Sequence, residues 1–298
     1  MDLNSERLAD SLGLNIDLAR AIANAHDLGY GPFGHVFERE MDSIFKELDY
    51  KGFDHNEQSF KVVEKLEQYS PYFDGLNLTK GVIDGIKVKC PGTEYLILEG
   101  QLVDLADTIS YLSDDIEDAL YLGFLSLDDF LDNLLMGEVL LSVKQEIGSE
   151  INMKLRSKYI RKHLKRKLRQ SIYRASKKQI DKYRNYLEKG YFIYTEGRLI
   201  NVELDIGIEL DNLKKLLFEK YYFHKKIIQH EEKFRSAVRD VFFYLIGDIS
   251  MIQRKEFLIE MYRDKDVNIY VKDYLALLTE KNFWRLHALI NKYLTACR

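Results

Sequence analysis

The sequence is poor in three things, and each scarcity excludes something. Two cysteines, Cys90 and Cys297, in 298 residues rule out a disulfide framework or a cysteine-built metal site and point to a reducing compartment. Three prolines leave long stretches free to be helical, and abundant Leu, Lys, Glu, Ile and Ala favour that outcome. No apolar run approaches the roughly 18 residues of a membrane span. The opening MDLNSERLADSLG has no signal-peptide pattern. These absences predict a cytoplasmic protein with no membrane segment.

What is present is an ordinary globular composition, 46 % hydrophobic and 31 % charged, long enough to bury one large core or two small ones. Twenty tyrosines and sixteen phenylalanines exceed the needs of most helical cores and point to pockets or interfaces. The net charge of −4 conceals a polarised chain. Residues 154–184 hold fourteen Lys or Arg against the single acid Asp181.

Apolar spacing predicts a helix over 16–26 through Ile16, Leu18, Ala19, Ile22 and Ala23. Gly29, Gly31 and Pro32 end it. A second helix over 35–48 places Phe37, Met41, Ile44, Phe45 and Leu48 inward, and a third carries Phe60, Val62, Val63 and Leu66. A short helix begins at GLNLTKGVIDGI, and after the Cys90-Pro91-Gly92 break a long one presents Leu102, Leu105, Ala106 and Ile109. Two more helices fall between 127 and 185, and four or five finish the chain. YFIYTEGRLINVEL, residues 191–204, alternates around Gly197-Arg198 and predicts a short β-hairpin. The fold class is all-α with that one hairpin.

A metal at a hydrolytic site takes imidazole and carboxylate ligands and keeps a position open. His26 and Asp27 are adjacent at a helix end, where relaxed geometry lets both side chains reach one ion. Asp107, in LADTISY, is the best further ligand, because the pattern predicts its partial burial and a buried carboxylate needs a cation or donors. Asp107, Tyr111 and Asp115 recur at i, i+4, i+8 along one stripe. Such a stripe serves a metal, a phosphate and a sugar in turn, or else it is a solvated acidic face continued by Asp114, Glu117 and Asp118. The spacing admits both.

AHDLGYGPFGHVFE, FDHNEQS, NLTKGVIDGI, LEGQLVDLADTISYLSDDIEDAL and VKDYLALLTEKNFWRLH occur in that order, and together they resemble the HD-domain deoxynucleoside triphosphate triphosphohydrolases, dGTPase-like, over nearly the whole length. The resemblance implies an HD-domain helical bundle as a metal and nucleotide core over 1–145, with a C-terminal helical region over 146–298 packed on it. It implies a divalent ion (Mn, Mg, Fe or Zn) on His26, Asp27 and Asp107, and catalytic roles for His35, Glu38 and His55. It further implies substrate contacts from Tyr30, Tyr111 and Asp115. The reaction implied is hydrolysis of a dNTP to deoxynucleoside and triphosphate. A histidine tuned by a carboxylate suits protonation of the leaving 5′-oxygen.

Two departures stand out. The family's first HD histidine, with its neighbouring arginine, falls about three residues before Met1 when counted back from Gly13, and no histidine precedes His26. The reading preferred on this point is a truncated or misassigned start. The alternative is an inactive HD pseudoenzyme that binds nucleotide or nucleic acid as a regulatory subunit. Tyr30 stands where many relatives carry His, Asn or Pro, and a phenol donates to phosphate but shuttles protons poorly at neutral pH. The basic stretch 154–184 carries an apolar seam of Leu155, Tyr159, Ile160, Leu164, Leu168, Ile172 and Tyr173. Its cations predict a polyanionic partner: single-stranded nucleic acid, a nucleotide effector, or the acidic 107–132 region of a second copy in a homo-oligomer.

Overall fold

Helix dominates because apolar residues recur at helical spacing and the breakers fall between elements rather than inside them. A computed structural model describes residues 2–90, 92–94, 96–252 and 266–296. Pro91 of the expected break and Cys297 lie outside the described residues, as does any helix expected over 253–265. No described helix is long and apolar enough to cross a membrane. The chain divides into two compact units, each built from two stretches: residues 1–23 with 92–228, and residues 24–91 with 229–298. The expected partition at 145/146 follows chain order, whereas these units exchange chain after residues 23, 91 and 228.

The first unit contains α1 (Asp2–Leu12), followed by α2 (Ile16–Ala25), whose last turn enters the second unit. Its centre is α6 (Leu98–Tyr121), packed against α8 (Met153–Ile180), with α7 (Leu134–Ile147) and α1 on α8 as well. Helix α6 buries Leu102, Ala106, Ile109, Leu112, Ile116 and Ala119, and α8 buries Ile160, Leu164, Leu168 and Ile172 at every fourth position. Each such Leu or Ile contributes about 1.5–3 kcal/mol by leaving water. Leu155, expected in the seam, is exposed because it sits in the first turn, short of that stripe.

The acidic and basic segments of this unit meet each other. Arg161 lies 2.8 Å from Glu117, and Lys165 lies 2.8 Å from Asp114, so α8 neutralises α6. Lys162 and His163 bind Glu146 of α7 at 2.5 and 2.7 Å. Much of the charge that the sequence offers to a second copy is therefore matched within one chain.

The 191–204 segment is not a hairpin. Tyr194–Thr195 forms a two-residue strand (β2) that pairs antiparallel with Leu96–Ile97 (β1), in the register Leu96↔Thr195 and Ile97↔Tyr194. The return arm of the expected hairpin finds a different partner. The fully buried Gln101 accepts the Leu199 and Ile200 N–H groups at 2.8 and 3.2 Å through Oε1, and donates to Thr195 Oγ1 at 2.9 Å. One side-chain amide thus does what a ladder would have done. After α9 (Arg184–Leu187) and this segment, α10 (Leu204–Leu217) contacts α6 and α7.

The second unit holds α3 (His35–Glu47), α4 (His55–Lys61), which runs into a π-helical turn over Val62–Leu66, and α5 (Lys80–Ile86). Most of α11 (Lys225–Gly247), then α12 (Val267–Ala276) and α13 (Glu280–Ala296), complete it. Phe37, Met41, Ile44 and Phe45 of α3 join Val238, Val241, Phe242, Val271, Leu275 and Phe283 in one core. Two buried carboxylates brace it. Glu40 takes Arg235 and Arg239 at 2.8 and 2.7 Å, and Asp273 takes Gln58, Lys61 and Lys272 at 2.9, 2.5 and 3.1 Å.

Candidate active site

In the second unit the chain leaves α2 after Ala25 and turns through His26 to Gly34 before α3 begins. The turn cannot continue as helix because Gly31, Phe33 and Gly34 all take positive φ, at 72°, 67° and 57°. Gly29 donates its N–H to Ser59 Oγ at 2.9 Å, and a Cβ there would stand 2.2 Å from the Ser59 nitrogen. That backbone contact holds α4 against the turn.

His26 is buried, and its Nε2 lies 3.0 Å from Asp27 Oδ2. Burial alone would raise the Asp27 carboxyl, but the His26 ring nitrogen beside it, with the charges of Lys89 and His55, outweighs burial and holds it below its ordinary value. An imidazole nitrogen and a carboxylate oxygen side by side are the donor types a divalent cation takes. The donor set therefore fits a divalent cation.

Beside this pair, four residues named from the sequence converge. Glu38 Oε1 lies 2.6 Å from His55 Nδ1 and accepts the His55 backbone N–H at 3.1 Å, while its Oε2 lies 3.1 Å from His35 Nδ1. Burial opposes the Glu38 charge, yet its contacts with His35 and His55 hold the carboxyl well below the usual range. The Tyr30 hydroxyl meets the His35 ring, with Nδ1 at 2.7 Å, and the Tyr30 ring stands edge-on to His55 at a centroid distance of 4.5 Å. His55 is largely buried and His35 is exposed, with 13 % and 65 % of their side-chain surfaces accessible. His55 opens α4, whose N-cap Asp54 accepts the Asn56 and Glu57 N–H groups.

In the first unit, α6 carries Asp107, Tyr111 and Asp115 along one stripe, with Asp107 and Asp115 half-buried and Tyr111 exposed. Asp115 is engaged by its own chain: the Tyr222 hydroxyl donates to Oδ2. Burial, followed by the Asp115 carboxylate, pushes that phenol well above its ordinary value. Asp114 and Glu117, the residues of the alternative acidic face, face α8 cations instead.

Comparisons with known proteins show the family. The HD domain profile matches residues 3–112, and the profile of a phosphohydrolase-associated domain matches residues 200–289. A deoxyguanosinetriphosphate triphosphohydrolase-like protein of Leptospira interrogans is 30 % identical, over 93 % of this chain and 75 % of its own length. Proteins of the same name from Wolinella succinogenes and Azoarcus sp. are 31 % and 32 % identical, over 94 % of this chain in each case and 80 % and 76 % of their own lengths. The chain belongs to the deoxyguanosinetriphosphate triphosphohydrolase-like family. As a member of that HD phosphohydrolase family it has an all-α fold, and HD domains generally depend on a metal ion.

Within this family member, three functional neighbours escape a reading of the sequence. Lys89 contributes positive charge at Asp27 from the end of a 3-10 turn, and no pattern in the sequence marks it. Tyr222 reaches Asp115 from 107 residues away, with only a tyrosine-rich KYYFH to mark it. Asp54, visible as the residue before HNEQS, sets where α4 starts and hence where His55 stands.

Proposed function

We propose that this protein is a metal-dependent hydrolase that cleaves a dNTP, dGTP-like, into deoxynucleoside and triphosphate. The observation that carries the proposal is the Glu38 carboxylate shared between the His35 and His55 rings, 3.1 and 2.6 Å from their Nδ1 atoms. A carboxylate on Nδ1 orients each ring, and the His35 ring is met at both nitrogens by the Tyr30 hydroxyl as well. His35 and His55 are thus the two candidates for protonating the leaving 5′-oxygen, and Tyr30 orients the ring of His35. The names of the curated relatives and the order of the motifs along the chain support the substrate class.

His26, Asp27 and Asp107 would hold the divalent ion, whether Mn, Mg, Fe or Zn. A divalent ion polarises a phosphoryl oxygen and lowers the pKa of bound water. Lys89 offsets phosphate charge beside Asp27. Tyr111 and Asp115 contact the sugar and phosphate region, so a sugar hydroxyl must share Asp115 with the Tyr222 phenol or displace it. The protein acts as a homo-oligomer in this reading.

The test is a panel of the four dNTPs with Mn, Mg, Fe and Zn, with products separated by chromatography. Release of deoxynucleoside and tripolyphosphate, lost in Asp107→Ala together with bound metal, is the expected result. Stepwise release of single phosphates would replace the proposed cleavage. Nucleotide binding with no hydrolysis under any metal would return the protein to the pseudoenzyme reading.

A further inference from the structure

His55 and His35 each open a helix, and the two helices start differently. His55 follows Asp54, whose carboxylate caps α4 by accepting the Asn56 and Glu57 N–H groups. His35 follows Gly34, whose place at the start of α3 comes with no side-chain cap. Main chain sets that start: the Phe33 carbonyl accepts the Val36 N–H and the Gly34 carbonyl accepts the Glu38 N–H, both at 3.2 Å. Whatever fixes those two carbonyls therefore fixes His35.

Phe33 is the unexpected residue at this point. Its φ of 67° lies in the left-handed region, where glycine, asparagine and aspartate sit readily and a bulky side chain does not. Glycine would suit this backbone better, as it does at Gly31 and Gly34. The phenyl ring must therefore contribute something that glycine cannot. It packs at centroid distances of 4.8 Å from Phe234 of α11, and 5.1 and 5.4 Å from Phe283 and Trp284 of α13. Phe283 is fully buried, and Trp284 and Phe234 lie 6.0 Å apart, so the three rings form an aromatic slot. All of these residues belong to the second unit. A residue held against its backbone preference persists only where its surroundings over-determine it, and the slot supplies that constraint. Relaxing Phe33 to an ordinary negative φ would turn the following chain by roughly 130° and remove the start of α3.

We propose that Phe33 is a positioning residue: the slot of Phe234, Phe283 and Trp284 clamps it in the left-handed conformation, and the clamp sets where His35 meets Glu38 and Tyr30. Phe33 acts through the main chain, as Asp54 acts on His55 through the cap of α4. The effect on turnover rests on the hydrolysis proposed above. The placement of His35 does not.

The test compares Phe33→Gly, Trp284→Ala and Trp284→Phe in the full chain. Phe33→Gly suits the backbone and removes the ring, whereas Trp284→Ala opens one partly exposed wall of the slot. Trp284 is the single tryptophan of the chain, so its emission should shift when Phe33→Gly empties the slot. NMR of the His35 ring at one pH, assigned by the loss of its signals in His35→Gln, reads placement without turnover. Those signals should move in Phe33→Gly and Trp284→Ala, and stay near their native positions in Trp284→Phe, which keeps a ring in the wall. In dNTP hydrolysis, kcat should fall by about ten- to a hundredfold in the first two variants, with KM little changed, and Trp284→Phe should retain most of it. A packing role alone would lower the melting temperature while the His35 signals and kcat stay unchanged, and that result overturns the proposal. Equal losses in Trp284→Phe and Trp284→Ala overturn it too, because the ring in the wall would then be irrelevant. If the native chain hydrolyses no dNTP, the reaction assigned above fails and the His35 signals alone decide: moved in Phe33→Gly, they uphold the clamp, and unmoved, they overturn it.

Discussion

Two carboxylates two residues apart on α3 are put to opposite uses. Glu40 is 2 % exposed and clamped by Arg235 and Arg239, whose charges are permanent at any working pH. Glu38 is shared by two imidazoles, those of His35 and His55. Residues at i and i+2 point to different sides of a helix, so α3 is braced on one side and carries titratable partners on the other. In the proposed reaction one element then serves as scaffold and as chemistry: the Glu40 cluster holds the helix in place and the Glu38 cluster uses that position.

The largest effect should come from breaking the scaffold side. Arg235→Ala with Arg239→Ala leaves the Glu40 carboxylate buried without its cations, and breaking a buried pair from one side costs about 3–5 kcal/mol. Denaturant unfolding should show that loss, and a loss below about 1 kcal/mol would mean Glu40 finds water or another donor. The reverse profile is expected on the other side. His55→Ala and Glu38→Gln should lower dNTP turnover by at least about a hundredfold, within the range for general acid–base groups, while melting changes little. If Glu38→Gln instead destabilises as strongly as the double arginine variant, the contrast between the two carboxylates fails.

The architecture was readable where burial repeats at helical spacing. The apolar positions over 16–26 and 35–48 set α2 and α3 close to their observed bounds, and Leu102, Ala106 and Ile109 mark the buried face of α6. The hairpin was not readable. The partner of Tyr194–Thr195 lies at Leu96–Ile97, and the stretch after it is held by the Gln101 amide. Local alternation cannot announce a distant strand or a side chain that stands in for one. The candidate residues His35, Glu38 and His55 were named through the HD motifs, and the structure brings them together. That one Glu38 carboxylate spans both imidazoles was not, because it depends on where Asp54 starts α4. Tyr222 left only the tyrosine-rich KYYFH as a mark, since its place arises from a tertiary contact with Asp115.

A smaller effect sharpens the comparison through pH. The Glu38 carboxyl is held below its ordinary value, so the stabilisation it contributes is fully present above the ordinary Glu range, about pH 4.3. That stabilisation is lost as pH falls through the depressed folded value. Acid titration of stability should therefore fall more steeply for the native chain than for Glu38→Gln, and parallel curves would remove Glu38 from the linkage. The smallest effect belongs to Asp54→Ala. Loss of this N-cap should cost about 1 kcal/mol, read by thermal melting. Because His55 is the first residue of α4, turnover should fall by more than stability alone explains.

The contact at Gly29 sets a manufacturing tolerance for the centre. A methyl group there would stand 2.2 Å from the Ser59 nitrogen and 2.7 Å from the His55 carbonyl oxygen, so the main chain of α4 would have to retreat by about 1 Å to reach ordinary contact. Proton transfer is sensitive to displacements of that size. The hydrogen that Gly29 carries in place of a Cβ thus acts as a spacer gauge between the His26-Asp27 turn and the helix that presents His55.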